Sequence, residues 1–287
     1  MLLTGGKMSI RFICDSTCDY TEQQAKELGI TLVPLKVLFG EKEYFDGVDM
    51  KPEEFYDKLA SAEELPTTSQ PSPEAFLQYF REAKEAGDDV ICILLASKLS
   101  GTCQSALIAR DIVEYDRIYI IDSMQATLGT QLLLDRAFAL REEGKTAEQI
   151  VEILEKEKEK ICIYLIVDTL LYLQKGGRLS TTGMVVGSAL NLKPILSVRY
   201  GEVRVAGLAR GQKSAWDKVL KTIEKDGGMD KTRGYNLGFT GKKECVSGFE
   251  AFIKEHFDAE YKKTVPVGSV IGVHVGPGAN AVAVFLN

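Results

Sequence analysis

The chain has 287 residues, 45% apolar and 26% charged, with a net charge of −6. This is the composition of a folded globular protein, and its mild acidity gives no footprint for nucleic acid or an anionic membrane surface. The most apolar runs, 91–95 and 161–167, are strand-length and too short to span a bilayer. No signal-peptide pattern precedes Met8, which competes with Met1 as the native start. Six cysteines, at 14, 18, 92, 103, 162 and 245, form no CxxC pair. A zinc site or disulfide framework is therefore not expected, and the cytoplasm is the natural compartment.

Residues 9–14 read as a first strand, Asp15-Ser16-Thr17-Cys18-Asp19 as the turn at its C-terminal end, and 21–28 as a helix. Thr21 and Gln24 have capping-box spacing, and Gly29 marks the exit. An extended segment at 30–39, a turn at Gly40-Glu41 and a return strand at 42–45 follow. A short helix at 52–60 precedes Pro66-Thr67-Thr68-Ser69-Gln70-Pro71-Ser72-Pro73, a turn whose hydroxyls are directed by the fixed φ of its prolines. Ser72 and Pro73 are also ordinary helix-start residues, and the helix at 73–86 sets Phe76, Leu77, Phe80 and Ala83 on one face.

Residues 90–96 form the next strand, and Ser97-Lys98-Leu99-Ser100-Gly101-Thr102 leads into a helix at 103–113. A strand at 117–121 ends at Asp122-Ser123. Three strands thus end in hydroxyl-bearing turns, and open parallel sheets bind ligands at such carboxyl ends. Helices at 125–143 and 147–158 follow; the charged run 155–160 is a solvated helix face.

A domain boundary is placed near 160, beyond which the pattern changes. A buried strand at 161–167 and a short helix at 168–173 lead to the glycine turn Lys175-Gly176-Gly177-Arg178-Leu179-Ser180 and a small-residue helix at 181–190. Strands at 193–198 and 203–207 flank a hairpin turn at Arg199-Tyr200-Gly201-Glu202. A helix at 211–224, a strand at 235–239, a helix at 242–256 and strands at 262–265, 270–275 and 281–286 complete an α+β lobe.

Seven local patterns occur in order across nearly the whole chain: Asp15-Ser16-Thr17, the 66–71 proline stretch, Leu99-Ser100-Gly101-Thr102, Ile121-Asp122-Ser123, Gly176-Gly177-Arg178-Leu179-Ser180, Asn191-Leu192-Lys193-Pro194 and Gly272-Val273-His274-Val275-Gly276-Pro277-Gly278. Together they resemble the DegV family of bacterial fatty-acid-binding proteins. The resemblance implies an α/β protein of two domains. The first, 8–160, would be a three-layer α/β/α domain with a parallel sheet. The second, 161–287, would be a two-layer α/β domain with a mixed sheet, part of 30–60 packing against it and a ligand cleft lying between the two.

The resemblance further implies a non-catalytic lipid-binding subunit of a fatty acid kinase. Its ligand is a long-chain fatty acid, and it needs no cofactor. Its partner is an ATP-dependent subunit resembling dihydroxyacetone kinases, which makes an acyl phosphate for phospholipid synthesis; transient membrane contact is compatible with that role. The carboxylate site falls on Thr67, Thr68, Ser97, Arg178 and His274. Two places depart from the family's usual pattern: the valines at 273 and 275 beside the histidine, and the segment 234–243.

An ionised carboxylate loses hydration on binding and needs several donors in compensation. The hydroxyls of Thr67, Thr68 and Ser97 supply them, with Arg178 and His274 steadying those hydroxyls in the arrangement that the resemblance implies. The acyl chain needs an apolar container, for which Ile91, Leu94, Met184, Val185, Ala189, Leu190 and Ile195 are the candidate walls.

Two other functions are compatible with parts of this pattern. A hydrolase or transferase would use Ser97 or Ser100 with His274 as base, although no Gly-x-Ser-x-Gly elbow is present. A phosphate or nucleotide binder would use Ser100-Gly101-Thr102 or Gly176-Gly177-Arg178, although neither has P-loop spacing.

Overall fold

The computed structural model describes residues 9–180 and 191–287. The helix expected at 181–190, with Met184, Val185, Ala189 and Leu190, lies outside them, as does the question of Met1 or Met8.

Strand β1 (Ile10–Asp15) is buried from Phe12 onward. Helix α1 (Glu22–Leu28) starts on the Thr21/Gln24 capping box and stops at Gly29, returning the chain to β2 (Ile30–Val33), parallel to β1. The segment 30–39, expected as one extended piece, divides at Pro34 between two sheets. Proline has no N–H to continue a ladder. Beyond it β3 (Lys36–Phe39) pairs antiparallel with β4 (Lys42–Phe45). Helix α2 (Pro52–Ala60) then leads to β5 (Thr67–Ser69), the other partner of β3. The proline stretch, expected as a turn, is therefore an edge strand bounded by Pro66 and Pro71, because a fixed φ near −65° suits extended backbone as well as a turn.

Helix α3 (Glu74–Ala86), β6 (Asp89–Leu94), α4 (Thr102–Val113) and β7 (Ile118–Asp122) complete a parallel sheet of order β2-β1-β6-β7. Alternate residues of β6 face opposite ways. Val90, Cys92 and Leu94 meet Phe76 and Phe80 of α3 and Ala106 and Ala109 of α4. Ile91 and Ile93 meet the other layer, α5 (Thr127–Glu142) and α6 (Ala147–Glu157), through Leu132, Leu133, Ile150 and Leu154.

The second large sheet is mixed. It contains β8 (Ile161–Ile166), which is followed by α7 (Leu171–Lys175), and the hairpin β9 (Leu192–Arg199) and β10 (Glu202–Arg210). After α8 (Gln212–Lys225) come β11 (Tyr235–Phe239), α9 (Ser247–His256), β12 (Tyr261–Pro266), α10 (Ser269–Val275) and β13 (Asn280–Phe285). The order is β10-β9-β8-β13-β11-β12, with only β11 and β12 parallel. Val219, Ile223, Phe249 and Ile253 of α8 and α9 cover one face. The other face meets α5, which touches β8, β11 and β13 as well as β6. Packed between two sheets, α5 is buried on nearly every side.

The strand expected at 270–275 is helix α10. A six-residue apolar run has no period long enough to separate strand from helix. What decides it comes from far away: Asp19 Oδ1 accepts from Gly268 N (2.9 Å) and Asp46 Oδ1 from Ser269 N (3.0 Å), fixing a helical start. The short helix expected at 168–173 begins three residues later, at Leu171, and the one at 242–256 opens with a 3₁₀ turn at Lys243–Cys245 before α9.

Candidate ligand-binding site

A cavity of about 360 Å³ lies between the inner face of the mixed sheet, the start of α5 and helix α10. Its walls include Leu128, Ile163, Leu165, Val198, Ile271, Val275 and Ala281, and it is mostly apolar. Thr68, Arg178 and His274 also line it, and the same three residues line a second cavity of about 230 Å³. The walls of that outer cavity include Thr67, Tyr172, Lys175 and Gly176. The three residues thus form a polar partition between an apolar chamber and a polar one.

Each member is placed by a different element. The pairing of β5 with β3, which sets Thr68 opposite Val37, holds the threonine. Helix α10 carries His274, whose Nε2 is 3.0 Å from Thr68 Oγ1. Arg178 follows the C-terminal turn of α7, where Gly177 takes a left-handed φ of 66° and Arg178 N donates to Leu173 O (3.1 Å). The guanidinium is tied to backbone carbonyls, Nε to Leu99 O (3.1 Å) and Nη1 to Gly176 O (2.7 Å), which occupy two of its five donors among the described residues.

Burial, and secondarily the charge of Arg178, hold the His274 pKa down at about 4, so the imidazole is neutral near pH 7. Its Nδ1 is buried without a hydrogen-bond partner among the described residues. Gly176 lies against that edge of the ring: a Cβ there would stand 2.2 Å from Nδ1, so only glycine lets the α7 turn close over the imidazole.

The other residues singled out from the sequence are placed differently. Thr67 is exposed and lines only the outer cavity. Ser97 lines neither cavity: its N donates to Asp122 Oδ1 (3.1 Å) and its Oγ to Asp122 Oδ2, joining the ends of β6 and β7. Ser100 lines the apolar cavity instead. Of the candidate walls among the described residues, Ile91 and Leu94 are fully buried in the cores on either side of the parallel sheet, and Ile195 faces the α8/α9 layer. None of the three lines the cavity: Ile91 and Leu94 stand on the parallel sheet, whereas the strands that wall the cavity belong to the mixed one, and strand alternation turns Ile195 away from it. On β8 the inward residues are Ile163 and Leu165, and on β9 Val198 shares the face opposite to that of Ile195. That two-residue period was present in the sequence and would have found them.

The groupings needed for the two alternative chemistries do not form among the described residues. His274 bonds Thr68 and no carboxylate, while Ser97 is held by Asp122 and Ser100 Oγ lies 2.9 Å from Thr102 Oγ1, so no serine meets the imidazole. The start of α4 is covered by Gln70, whose Nε2 donates to Gly101 O (3.2 Å) and Ser105 Oγ (3.0 Å), and the N–H groups of Gly176, Gly177 and Arg178 all donate inside the α7 turn, to Tyr172 O, Gln174 O and Leu173 O, so neither turn offers its backbone to an anion.

The family described as "Uncharacterised protein, DegV family" matches residues 9–287. The chain belongs to the DegV family. A DegV domain-containing protein of Caldanaerobacter subterraneus subsp. tengcongensis is 39% identical over 273 residues, covering 95% of this chain and 97% of its relative. Among solved structures, a DegV-family protein from Thermus thermophilus described for its fatty acid binding superposes with a TM-score of 0.88 at 33% identity, covering 97% of this chain and all of the other. A stearic-acid-binding protein from Eubacterium ventriosum gives 0.87 at 28% identity, covering 96% and 98%. DegV of Bacillus subtilis, described as a fatty acid binding protein, gives 0.82 at 29%, covering 98% and 100%. The fold of this DegV-family chain, a four-stranded parallel sheet beside a mixed sheet, is thus that of its structural relatives.

Proposed function

We propose that this chain binds one long-chain fatty acid, its acyl chain in the apolar cavity and its carboxylate at Thr68. The observation that carries this reading is the partition: a mostly apolar chamber shares a hydroxyl, a guanidinium and a neutral imidazole with the polar cavity beside it. The fatty-acid-binding descriptions of the Thermus, Eubacterium and Bacillus relatives support it. Each buried methylene contributes about 0.8 kcal/mol, so a C16 chain supplies on the order of 10 kcal/mol before ordering costs. The acyl chain gives affinity and the partition gives direction.

The proton order follows from the geometry. A neutral imidazole has one N–H, and placing it on Nε2 gives it an acceptor in Thr68 Oγ1, whereas Nδ1 faces none. The Thr68 proton is then free to point at a carboxylate oxygen. Arg178, anchored on two carbonyls, adds positive charge nearby. In this arrangement Thr67 serves the outer cavity, and Ser97, which lines neither cavity and is held by Asp122, takes no part in holding the carboxylate.

A carboxylate held by hydroxyls rather than by a full ion pair keeps its nucleophilicity, which suits a substrate awaiting phosphorylation. The further reading is therefore a non-catalytic cytoplasmic subunit, its cleft between units 8–160 and 161–287, that presents the fatty acid to a separate ATP-dependent kinase resembling dihydroxyacetone kinases. The test incubates the loaded protein with ATP, alone and with such a kinase subunit. Acyl phosphate forms only with both; ATP turnover by this chain alone, or no acyl phosphate with both, counts against the reading.

A further inference from the structure

Helix α5 begins on the wall of the apolar cavity. Ala126, Thr127 and Leu128 all line it, and none is more than 6% exposed. No side chain caps this 16-residue helix, and its first turn holds no acidic residue. Gly129 N and Thr130 N donate back to Ala126 O, but the N–H groups of Ala126, Thr127 and Leu128 have no acceptor among the described residues. Buried donors of this kind are rare, because each gives up its hydration without a partner in return.

Thr127 itself is a second mark of the same place. It is 4% exposed, and its hydroxyl makes no hydrogen bond among the described residues. The hydroxyls of Thr68, Ser100 and Thr240, which also line the cavity, meet His274 Nε2, Thr102 Oγ1 and Ala279 N. The φ of Thr127 is 45°, in the left-handed region that a β-branched residue enters only under constraint. No Asp or Glu is among the described residues of the lining, so no carboxylate of the chain answers these donors.

We infer that the start of α5 is a second polar subsite within the acyl cavity, and that it selects fatty acids carrying a hydroxyl on the interior of the chain. This rests on the fatty-acid reading above. The rest of that wall is apolar, Leu95, Leu128 and Val270 included, so an ionised group there would lose more hydration than the subsite returns. A neutral hydroxyl loses less and serves both sides. Its oxygen accepts from a backbone N–H at the positive end of the helix, and its proton goes to Thr127 Oγ1. A plain chain leaves those groups unpaired, and unpaired buried donors are what disfavour a ligand that lacks the matching group.

The test is competition binding of palmitate and a series of hydroxypalmitates, with the hydroxyl on the third, sixth, ninth, twelfth or fifteenth carbon, to delipidated wild type, Thr127→Val and Thr127→Ser. Wild type is expected to favour one interior isomer over the others by roughly tenfold, the difference between a buried hydroxyl that is paired and one that is not. Thr127→Val, which keeps the β-branched shape, is expected to cut that preference to roughly threefold or less while changing palmitate affinity less, and Thr127→Ser to keep it. Wild type that binds palmitate but shows no peak along the series overturns the inference and leaves the fatty-acid reading intact, as does a peak that Thr127→Val leaves unchanged. Wild type that binds neither palmitate nor any isomer overturns the reading beneath it.

Discussion

Thr68 on edge strand β5 and His274 on helix α10 are 206 positions apart in the sequence and 3.0 Å apart at the edge of the apolar cavity, Oγ1 to Nε2. The contact joins the small three-stranded sheet to a helix whose start is capped by Asp19 and Asp46. Formation of the polar partition thus depends on long-range packing, and single substitutions along this line read out separate parts of it.

Thr68→Val keeps shape and removes the donor. A hydrogen bond to a charged group is worth about 1.5–3 kcal/mol, so calorimetric titration is expected to show palmitate affinity falling by roughly tenfold or more. An unchanged affinity places the carboxylate elsewhere.

His274 has a defined pH signature. Its folded pKa of about 4 lies below the unfolded value of 6.5, so between these values the unfolded chain holds more protons and stability falls as pH drops from about 6.5 to about 4. Burial of Asp15, Asp19 and Asp46 raises their pKa values and acts in the opposite direction. The measurement is therefore the difference between wild type and His274→Gln in urea unfolding at pH 7 and pH 4.5. Wild type is expected to lose more stability than the variant on acidification; parallel losses contradict the buried neutral imidazole.

Gly176→Ala places a methyl on the imidazole edge. Overpacking of this kind costs roughly 1–3 kcal/mol, and here the ring must also shift from Thr68. Both a lower melting temperature and weaker palmitate binding are expected, whereas Gly177→Ala, with nothing within 4 Å of its Cβ, pays only the strain of its positive φ. Equal palmitate affinities for the two variants would speak against the close approach at Gly176.

Ala281→Leu on β13 fills part of the apolar chamber. Each displaced methylene forfeits about 0.8 kcal/mol, so palmitate is expected to weaken more than decanoate in competition assays. Equal weakening of both chain lengths would show that the acyl chain does not reach this wall.

Asp19 has one oxygen on Gly268 N and the other, Oδ2, buried without a partner among the described residues; burial raises its pKa, and the nearby Asp46 carboxylate raises it further. Asp19→Asn keeps the cap and removes the buried charge. At pH 8, where the carboxylate is most costly, the variant is expected to be more stable by roughly 1 kcal/mol in urea. A large loss of stability would mean that the charge on the α10 start outweighs its desolvation.

The parts of this protein legible in the sequence were those fixed locally. The Thr21/Gln24 capping box, the Gly201 hairpin turn and the single apolar face of α3 all formed as their spacing indicates. Thr68, Arg178 and His274 converge, although their meeting depends on contacts no local pattern contains. The strand-like run at 270–275 became a helix because two aspartates more than 200 residues earlier cap it, and Pro66 and Pro71 bound a strand where a turn was expected. Core and cavity residues were not separable in the sequence for a different reason. Ile91, Leu94 and Ile195 are as apolar as Leu165 and Val198, and only the sheet that each strand joins and the face that each residue takes separate core from cavity.

Native mass spectrometry of delipidated protein with one equivalent of palmitate tests the binding site most directly. One fatty acid per chain is expected on wild type, with occupancy reduced in Thr68→Val and Ala281→Leu. An empty wild-type chain, or multiple adducts indifferent to both substitutions, would contradict a fatty acid held in this cavity with its carboxylate at Thr68.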